Sequence, residues 1–372
     1  MSPHTPVPES TPGAPLRLGF LPVCDCAPLI FAFESGLFGK YELAVELVRE
    51  SKWDQLRDKL MCRQLDAVEA PCSLPFVSNL TLESDQCAAI SGMILSLQGN
   101  SIILSRHLRK EGVRDAASLR DLVFRDWGRR TYTFAVSVLH SPAHFLLNRW
   151  LRIGDLDPHV QVRIVALPPD QMFPTLKLGY IDGFCVGEPW TSLAIEAGAG
   201  TSVATSSDLA PLHPEKLLMV RRDFSESRAA EHERLIAALL ESCAFCDRPE
   251  NAGLLSEILS QPHYLNAPAD CLKRALSPAA AGQAPAVKRS RAVFCTGNAN
   301  DPTDEKAAWI MENLYDSMDL SPARDRKFAR TPVFKNILRR DIYENAVARV
   351  ASQATALKQE ADAYAATIQR VA

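Results

Sequence analysis

Short β-rich runs alternating with helix-length amphipathic stretches predict an α/β protein of two lobes, each built on a mostly parallel sheet. Three observations carry this expectation. The alternation starts at Leu16 and persists to Arg221. Its strand-sized runs are too short to stand outside a sheet. One turn-forming interruption, Ser96-Leu97-Gln98-Gly99-Asn100, separates two apolar runs and marks where the chain leaves the first lobe. At 372 residues, 47% hydrophobic and 23% charged, the chain has material for two cores.

The first lobe reads as a strand at 16–21, a helix at 27–35, a strand at 44–48, a helix at 53–61 and a strand at 65–70, then apolar runs at 88–95 and 101–104. The second, 105–216, opens with a helix at 119–127 capped by Ser118 and a strand at 132–136. A helix at 142–151 follows, with Ser141 at its N-cap and Pro142 at its first position. A strand at 160–166, a helix at 171–178 capped by Asp170 and a strand at 182–186 lead into Gly187-Glu188-Pro189-Trp190. Residues 216–221 return the chain to the first lobe, which spans 16–104 and 217–277. Residues 278–372 form a C-terminal loop and helical extension. Its basic cluster Lys288-Arg289-Ser290-Arg291 is expected in solvent. Its last stretch, 341–370, carries Ile342, Ala346, Val350, Ala354 and Leu357 as the stripe of a long exposed or partner-facing helix.

The formal charge of -3 gives no positive field for nucleic acid or anionic lipid. Residues 1–15, rich in Pro, Ser and Thr, read as a flexible leader without a secretory signal, and no apolar run approaches the roughly 20 residues a bilayer crossing needs. Both features predict a cytoplasmic protein. The ten cysteines are scattered through apolar segments, and Cys243/Cys246, although spaced C-x-x-C, lack a second pair or histidines to complete a zinc set. They read as packing residues.

No phosphate-cradling loop, dinucleotide fingerprint, nucleophile elbow or H-E-x-x-H motif is present, so the expectation is a binding protein without a cofactor. Polar and aromatic residues gather instead at loop-to-helix junctions: Asp25-Cys26-Ala27-Pro28, Ser51-Lys52-Trp53, His140-Ser141-Pro142 and Gly187-Glu188-Pro189-Trp190. In an α/β lobe these lie at the carboxyl ends of strands, where helix N-termini favour an anion. His140 and His144 share an i, i+4 spacing, but Pro142 between them places His140 ahead of the helix and His144 in its first turn.

Gly19-Phe20-Leu21-Pro22, Asp25-Cys26-Ala27-Pro28-Leu29, Glu34-Ser35-Gly36-Leu37-Phe38, Trp53 with Arg57-Asp58-Lys59, and Gln98-Gly99-Asn100 occur in order. Arg149-Trp150-Leu151, Pro168-Pro169-Asp170-Gln171-Met172, the segment from Asp182 to Trp190 and Pro214-Glu215-Lys216 follow. Together they resemble the nitrate-binding proteins of ABC importers and their cytoplasmic relatives that sense nitrate and nitrite. The resemblance implies the type II periplasmic-binding-protein fold, with an anion held between two α/β lobes. It implies ligand contacts at Trp53 and Gln98 and at a histidine that is either His140 or His144, with Lys216 as a substitute for a lysine the relatives carry elsewhere. Trp53 would cover nitrate with its indole face and Gln98 would donate to it. Both would face the cleft and not the core, so alanine at either position would weaken binding without unfolding the protein. Glu188, a carboxylate in an anion cleft, is expected to turn outward or bond backbone N–H groups, or to mark a bicarbonate binder that uses a cation.

Two functions follow from the resemblance. One is a cytoplasmic nitrate/nitrite sensor holding an RNA-binding antitermination regulator of the ANTAR type. The other is the substrate-binding component of a nitrate or bicarbonate ABC transporter, periplasmic at the inner membrane and docking on the transporter's membrane subunits. A synthase on the same fold would need a histidine- and cysteine-rich active site, which the sequence lacks.

Overall fold

A computed structural model describes residues 14–80, 89–277, 289–318 and 336–353. Eleven strands are named in it: β1 (Leu16–Phe20), β2 (Val45–Arg49), β3 (Ala67–Pro71), β4 (Ala89–Ile90), β5 (Ile94–Leu97), β6 (Ser101–Ser105), β7 (Thr133–Val136), β8 (Arg163–Ala166), β9 (Gly183–Val186), β10 (Gly200–Thr205) and β11 (Pro214–Arg221). They form two mixed sheets. The first runs β2-β1-β3-β11-β4, with β5 also on β11; the second runs β10-β6-β9-β7-β8. β1 is parallel to β2 and β3, and β7 is parallel to β8 and β9, while β11 and β6 run antiparallel to their neighbours.

Burial explains the order. β3 and β11 are buried at every position and take central places, whereas half-exposed β2 takes the edge. The helix Trp53–Met61 lays Trp53, Leu56 and Leu60, at i, i+3 and i+7, against this sheet. It approaches so closely that a Cβ on Gly19 of β1 would stand 2.5 Å from Leu56 Cδ2.

Several boundaries move from their sequence-based positions. The crossovers come earlier, because residues 101–105 already pair in the second sheet and the return strand begins at Pro214. The helix expected at 119–127 starts at Ala116, with Asp115 as its N-cap and Ser118 as the third-residue partner in a capping box. Asp170 lies inside the helix Pro169–Lys177, for which Pro168 is the N-cap. Ser141 does cap the helix Pro142–Ile153.

The C-terminal extension is a structural brace. The helix Asp304–Ser317 packs on Pro142–Ile153 of the second lobe, with Trp309 edge-on to Phe145 at 5.9 Å. Val293 bridges Leu97 by backbone hydrogen bonds, and Asn300 Nδ2 donates to the Ile94 carbonyl, fastening the segment to the first sheet. The helical residues 340–353 are not a free partner-facing face. Ile342 and Ala346 are buried in the first-lobe core, Val350 packs against it, and Arg349 pairs with Glu233 at 2.6 Å. Ala354 and Leu357 lie outside the described residues. Arg291 pairs with Asp247 and Arg289 with Glu196, so these members of the basic cluster are anchored; Lys288 is outside the described residues. No described helix is long and apolar enough to cross a membrane.

Candidate functional site

The carboxyl ends of β1, β2, β7 and β9 face one another between the lobes, and the helices Ala27–Glu34, Trp53–Met61, Pro142–Ile153 and Trp190–Glu196 begin there. The lobes are closed on each other. Cys24 N–H donates to the Glu188 carbonyl (2.7 Å) and Trp190 Nε1 to the Pro22 carbonyl (2.8 Å). One apolar cluster runs through both, from Leu21, Val23 and Trp53 to Phe184, Val186 and Trp190. Gly187 is needed at this seam: a Cβ there would lie 3.2 Å from Asp25 Oδ2 and 3.7 Å from Asn100 Oδ1.

The floor of the cleft is a buried charge network carried by β11. Lys216 Nζ donates to Glu215 Oε1 (2.6 Å), and Asn100 Nδ2 donates to Glu215 Oε2 (2.5 Å). His213 Nε2 stands 3.0 Å from the same oxygen while its Nδ1 is 2.7 Å from the Ala210 carbonyl. Across the strand Ser96 Oγ donates to Asp25 Oδ1 (2.6 Å). Glu69, opposite Leu218, is fully buried; the Leu21 backbone offers it a weak hydrogen bond too poorly placed for either oxygen to count as satisfied.

These carboxyls are driven apart. Burial pushes Glu215 up, but the Lys216 ammonium and the His213 hydrogen bond outweigh it and hold it at about 2. Burial pushes Asp25 up against the pull of Lys216, and pushes Glu69 well above the carboxylate range, helped by Asp25. Lys216 is stabilised as a cation because Asp25, Glu215 and Glu69 overcome its burial. Glu215 and Lys216 therefore form the ionised pair, with Glu69 pushed toward the protonated acid beside them.

A pH test follows from Glu69. Its folded value lies above the unfolded one, so its contribution is present below the unfolded value and is lost as pH rises through the folded value. Glu69→Gln keeps the shape of the protonated acid. The variant should gain stability over the wild-type chain as pH is raised from 5 to 8 in denaturant titrations. A constant difference across that range would show that Glu69 binds no more protons in the folded state than in the unfolded one.

Of the residues proposed from sequence, the structure brings Trp53 and Lys216 together, with Lys216 Nζ 5.6 Å from the indole centroid. The ammonium thus occupies an indole face that was expected to cover the ligand. Trp53 is 1% exposed and belongs to the apolar cluster, which corrects its placement outside the core. Its Nε1 is buried without a hydrogen-bond partner among the described residues.

Gln98 is directed elsewhere. Its Nε2 donates to the Arg291 carbonyl (3.2 Å), and its Oε1 accepts from Ser207 Oγ (3.2 Å) and Leu212 N–H (3.4 Å), clamping the crossover to the brace. One of its two amide N–H groups is held by Arg291 and its oxygen by Ser207 and Leu212, so Gln98→Ala should cost about 1 kcal/mol of stability and change anion affinity little. Calorimetry beside a denaturation curve checks this.

The two histidines also separate. His144 is buried, its Nδ1 accepts the His140 N–H (2.9 Å), and burial depresses it to about 3, leaving a neutral ring with its proton on Nε2. His140, half-buried, has Nδ1 3.1 Å from Ser317 Oγ of the brace. Glu188 bonds within its own helix turn, accepting from Ser192 N–H (3.0 Å) and Ser192 Oγ (2.9 Å). No cluster of three or more His, Cys, Asp or Glu with metal-holding geometry occurs among the described residues.

Sequence reasoning assigned no ligand role to Glu69, Asn100, His213 or Glu215, and named Asp25 only as part of a junction. Glu69 carried a legible signal, as the one charge in the buried run Ala67–Pro71. Asp25 and Asn100 find their partners, Ser96 and Glu215, in distant segments, whereas His213 and Glu215 pair with close neighbours in the chain.

Comparison with known proteins decides the family. Residues 9–260 match the model of the NMT1-like family. The chain belongs to the NMT1-like family. Among curated relatives this NMT1-like chain is 36% identical over 252 residues to the nitrate import ATP-binding protein NrtC of Synechocystis sp., covering 67% of this chain and 38% of that protein. It is 33% identical over 301 residues to the bicarbonate transport ATP-binding protein CmpC of Synechococcus elongatus, covering 80% and 44%. The chain thus spans less than half the length of these two relatives. The nitrate/nitrite binding protein NrtA of Synechococcus elongatus is 29% identical over 329 residues, covering 83% of this chain and 74% of that one. In fold, the crystal structure of periplasmic NrtA from Synechocystis superposes with a TM-score of 0.80 at 22% identity, covering 90% of this chain and 88% of that one.

Proposed function

We propose that this chain binds one small planar oxyanion of the nitrate, nitrite or bicarbonate class in its interlobe cleft, as the solute-binding module of an import system, without catalysing a reaction. The observation that carries this is the Trp53 Nε1–H, buried without a partner beside the Lys216 ammonium at the mouths of helix N-termini. A buried N–H left unsatisfied costs about 1–3 kcal/mol, and an oxyanion acceptor removes that cost. The neutral His144 adds a ring N–H rather than a charge. The relatives named for nitrate, nitrite and bicarbonate support the ligand class, and a second protein named for an ABC import system is the natural partner. Calorimetric titration of the full chain with nitrate, nitrite and bicarbonate tests it. One-to-one binding of at least one is expected, and silence with all three would refute the proposal.

A second reading, a cytoplasmic sensor, takes its support from two relatives being named as ATP-binding proteins, since ATP is an intracellular compound. The chain itself carries no phosphate-cradling motif. In this reading the empty module holds an RNA-binding antitermination regulator, and lobe closure on the anion releases it. Gel filtration of chain and regulator with and without nitrate separates the two readings: an anion-sensitive complex establishes the sensor, and no complex leaves the import module.

A further inference from the structure

The second lobe has a hollow at the end of its sheet remote from the cleft. Ser105 closes β6, Asp182 precedes β9 and Ala199 precedes β10, so these residues meet at the amino-terminal side of the parallel strands. The hollow measures about 470 Å³ and is lined by Arg106, His107, Arg130, Lys177 and Asp182, with Leu176 and Ile181 as its apolar wall.

Its charges are unequally used. Arg130 Nη2 donates to Asp182 Oδ1 (2.5 Å), its Nη1 lies 3.0 Å from His107 Nε2, and its guanidinium stands 4.6 Å from the Tyr132 ring centroid. The second oxygen of Asp182 accepts the Thr133 N–H (2.8 Å). Arg130 and Asp182 thus satisfy each other in a fixed arrangement. Arg106 and Lys177, both exposed, have no ion-pair partner among the described residues. Three permanent cations, Arg106, Arg130 and Lys177, therefore face one carboxylate in a chain whose overall formal charge is -3.

We propose that this hollow binds an organic anion carrying at least two negative charges on its oxygens, a phosphate ester or a di- or tricarboxylate, as a second ligand separate from the cleft. The two unpaired cations set the charge, and arginine matches the paired oxygens of phosphate or carboxylate. The volume sets the size: it falls within the roughly 300–1,000 Å³ of small-molecule sites, and an anion of three or four heavy atoms would leave most of it to water. The rim offers surface for the organic part, because Leu178 and Tyr180, at 71% and 75% exposure, flank Gly179 of the lining. Every lining residue comes from the second lobe, so the site exists whether or not the cleft is occupied.

Calorimetric titration of the full chain with AMP, citrate and inorganic phosphate tests this. AMP or citrate should bind one-to-one and more tightly than inorganic phosphate. AMP alone identifies the phosphate ester, and citrate alone the polycarboxylate. The double variant Arg106→Ala/Lys177→Ala, shown folded by its thermal transition, should bind that ligand at least about tenfold more weakly while nitrate affinity is unchanged. The proposal is overturned if neither AMP nor citrate binds, if inorganic phosphate binds as tightly as both, or if the double variant binds like the wild-type chain. Failure of nitrate binding with AMP or citrate binding intact would overturn the proposed function and leave this site standing.

Discussion

Lys216→Met is expected to destabilise the fold by about 3–5 kcal/mol and to lower anion affinity at least about tenfold. The lysine is in direct contact with Glu215, and it also faces Asp25 and Glu69; all four groups are buried. Removing it leaves Glu215 ionised in a medium that cannot solvate it, unless the carboxyl takes a proton. The pH dependence should change with it. In the wild-type chain Glu215 sits at about 2, below its unfolded value, so its stabilisation is complete above the unfolded value and is lost as pH falls toward 2. Without Lys216 the burial that pushes Glu215 up is no longer outweighed, and stability should now fall as pH rises. Chemical denaturation at pH 4 and pH 8 reads the reversal. Adding Glu215→Gln should restore part of the loss, and a double variant no better than the single one would show that the pair does not act as a unit.

Trp53→Ala should cost about 3–5 kcal/mol, which is the effect of emptying a core site and not of trimming a binding surface. The indole is 1% exposed and packs in the cluster that holds Leu56, Leu60 and Leu65 of the first lobe and extends into the second. Trp53→Phe separates the two roles of this side chain. It keeps most of the apolar volume, so stability should fall by less than about 1.5 kcal/mol, while the unpartnered Nε1–H and its proposed bond to the anion are lost. Denaturation curves of both variants beside nitrate calorimetry of Trp53→Phe give the answer. A Trp53→Ala chain as stable as wild type would mean that the indole is not a core residue, and unchanged affinity in Trp53→Phe would remove the N–H from the ligand.

The sequence by itself determined the two-lobed α/β architecture and most of its elements, because amphipathic periodicity and helix-start chemistry are local. Pro142 after Ser141 placed a helix start to the residue, and the run from Trp53 to Met61 appears as a helix with those same ends. It also led to Trp53 and Lys216, which lie 163 positions apart in the chain and 5.6 Å apart, ammonium to indole centroid, in the fold. Tertiary structure alone decided which groups the cleft spends on itself. Gln98 itself sits at positive φ ahead of Gly99 and gives its amide to Arg291, 193 residues away, and Asn100 gives its own to Glu215. The stripe of Ile342 and Ala346 shows an apolar helix face equally well whether a partner or the chain's own core covers it, and here the first lobe does. Burial decides the chemistry in the same way: Glu69 and Glu215 are the same residue type on adjacent strands, yet one is driven toward the protonated acid and the other held ionised. The difference is that folding aims the Lys216 ammonium and the Asn100 amide at Glu215, whereas neither oxygen of Glu69 gains a well-formed hydrogen bond among the described residues.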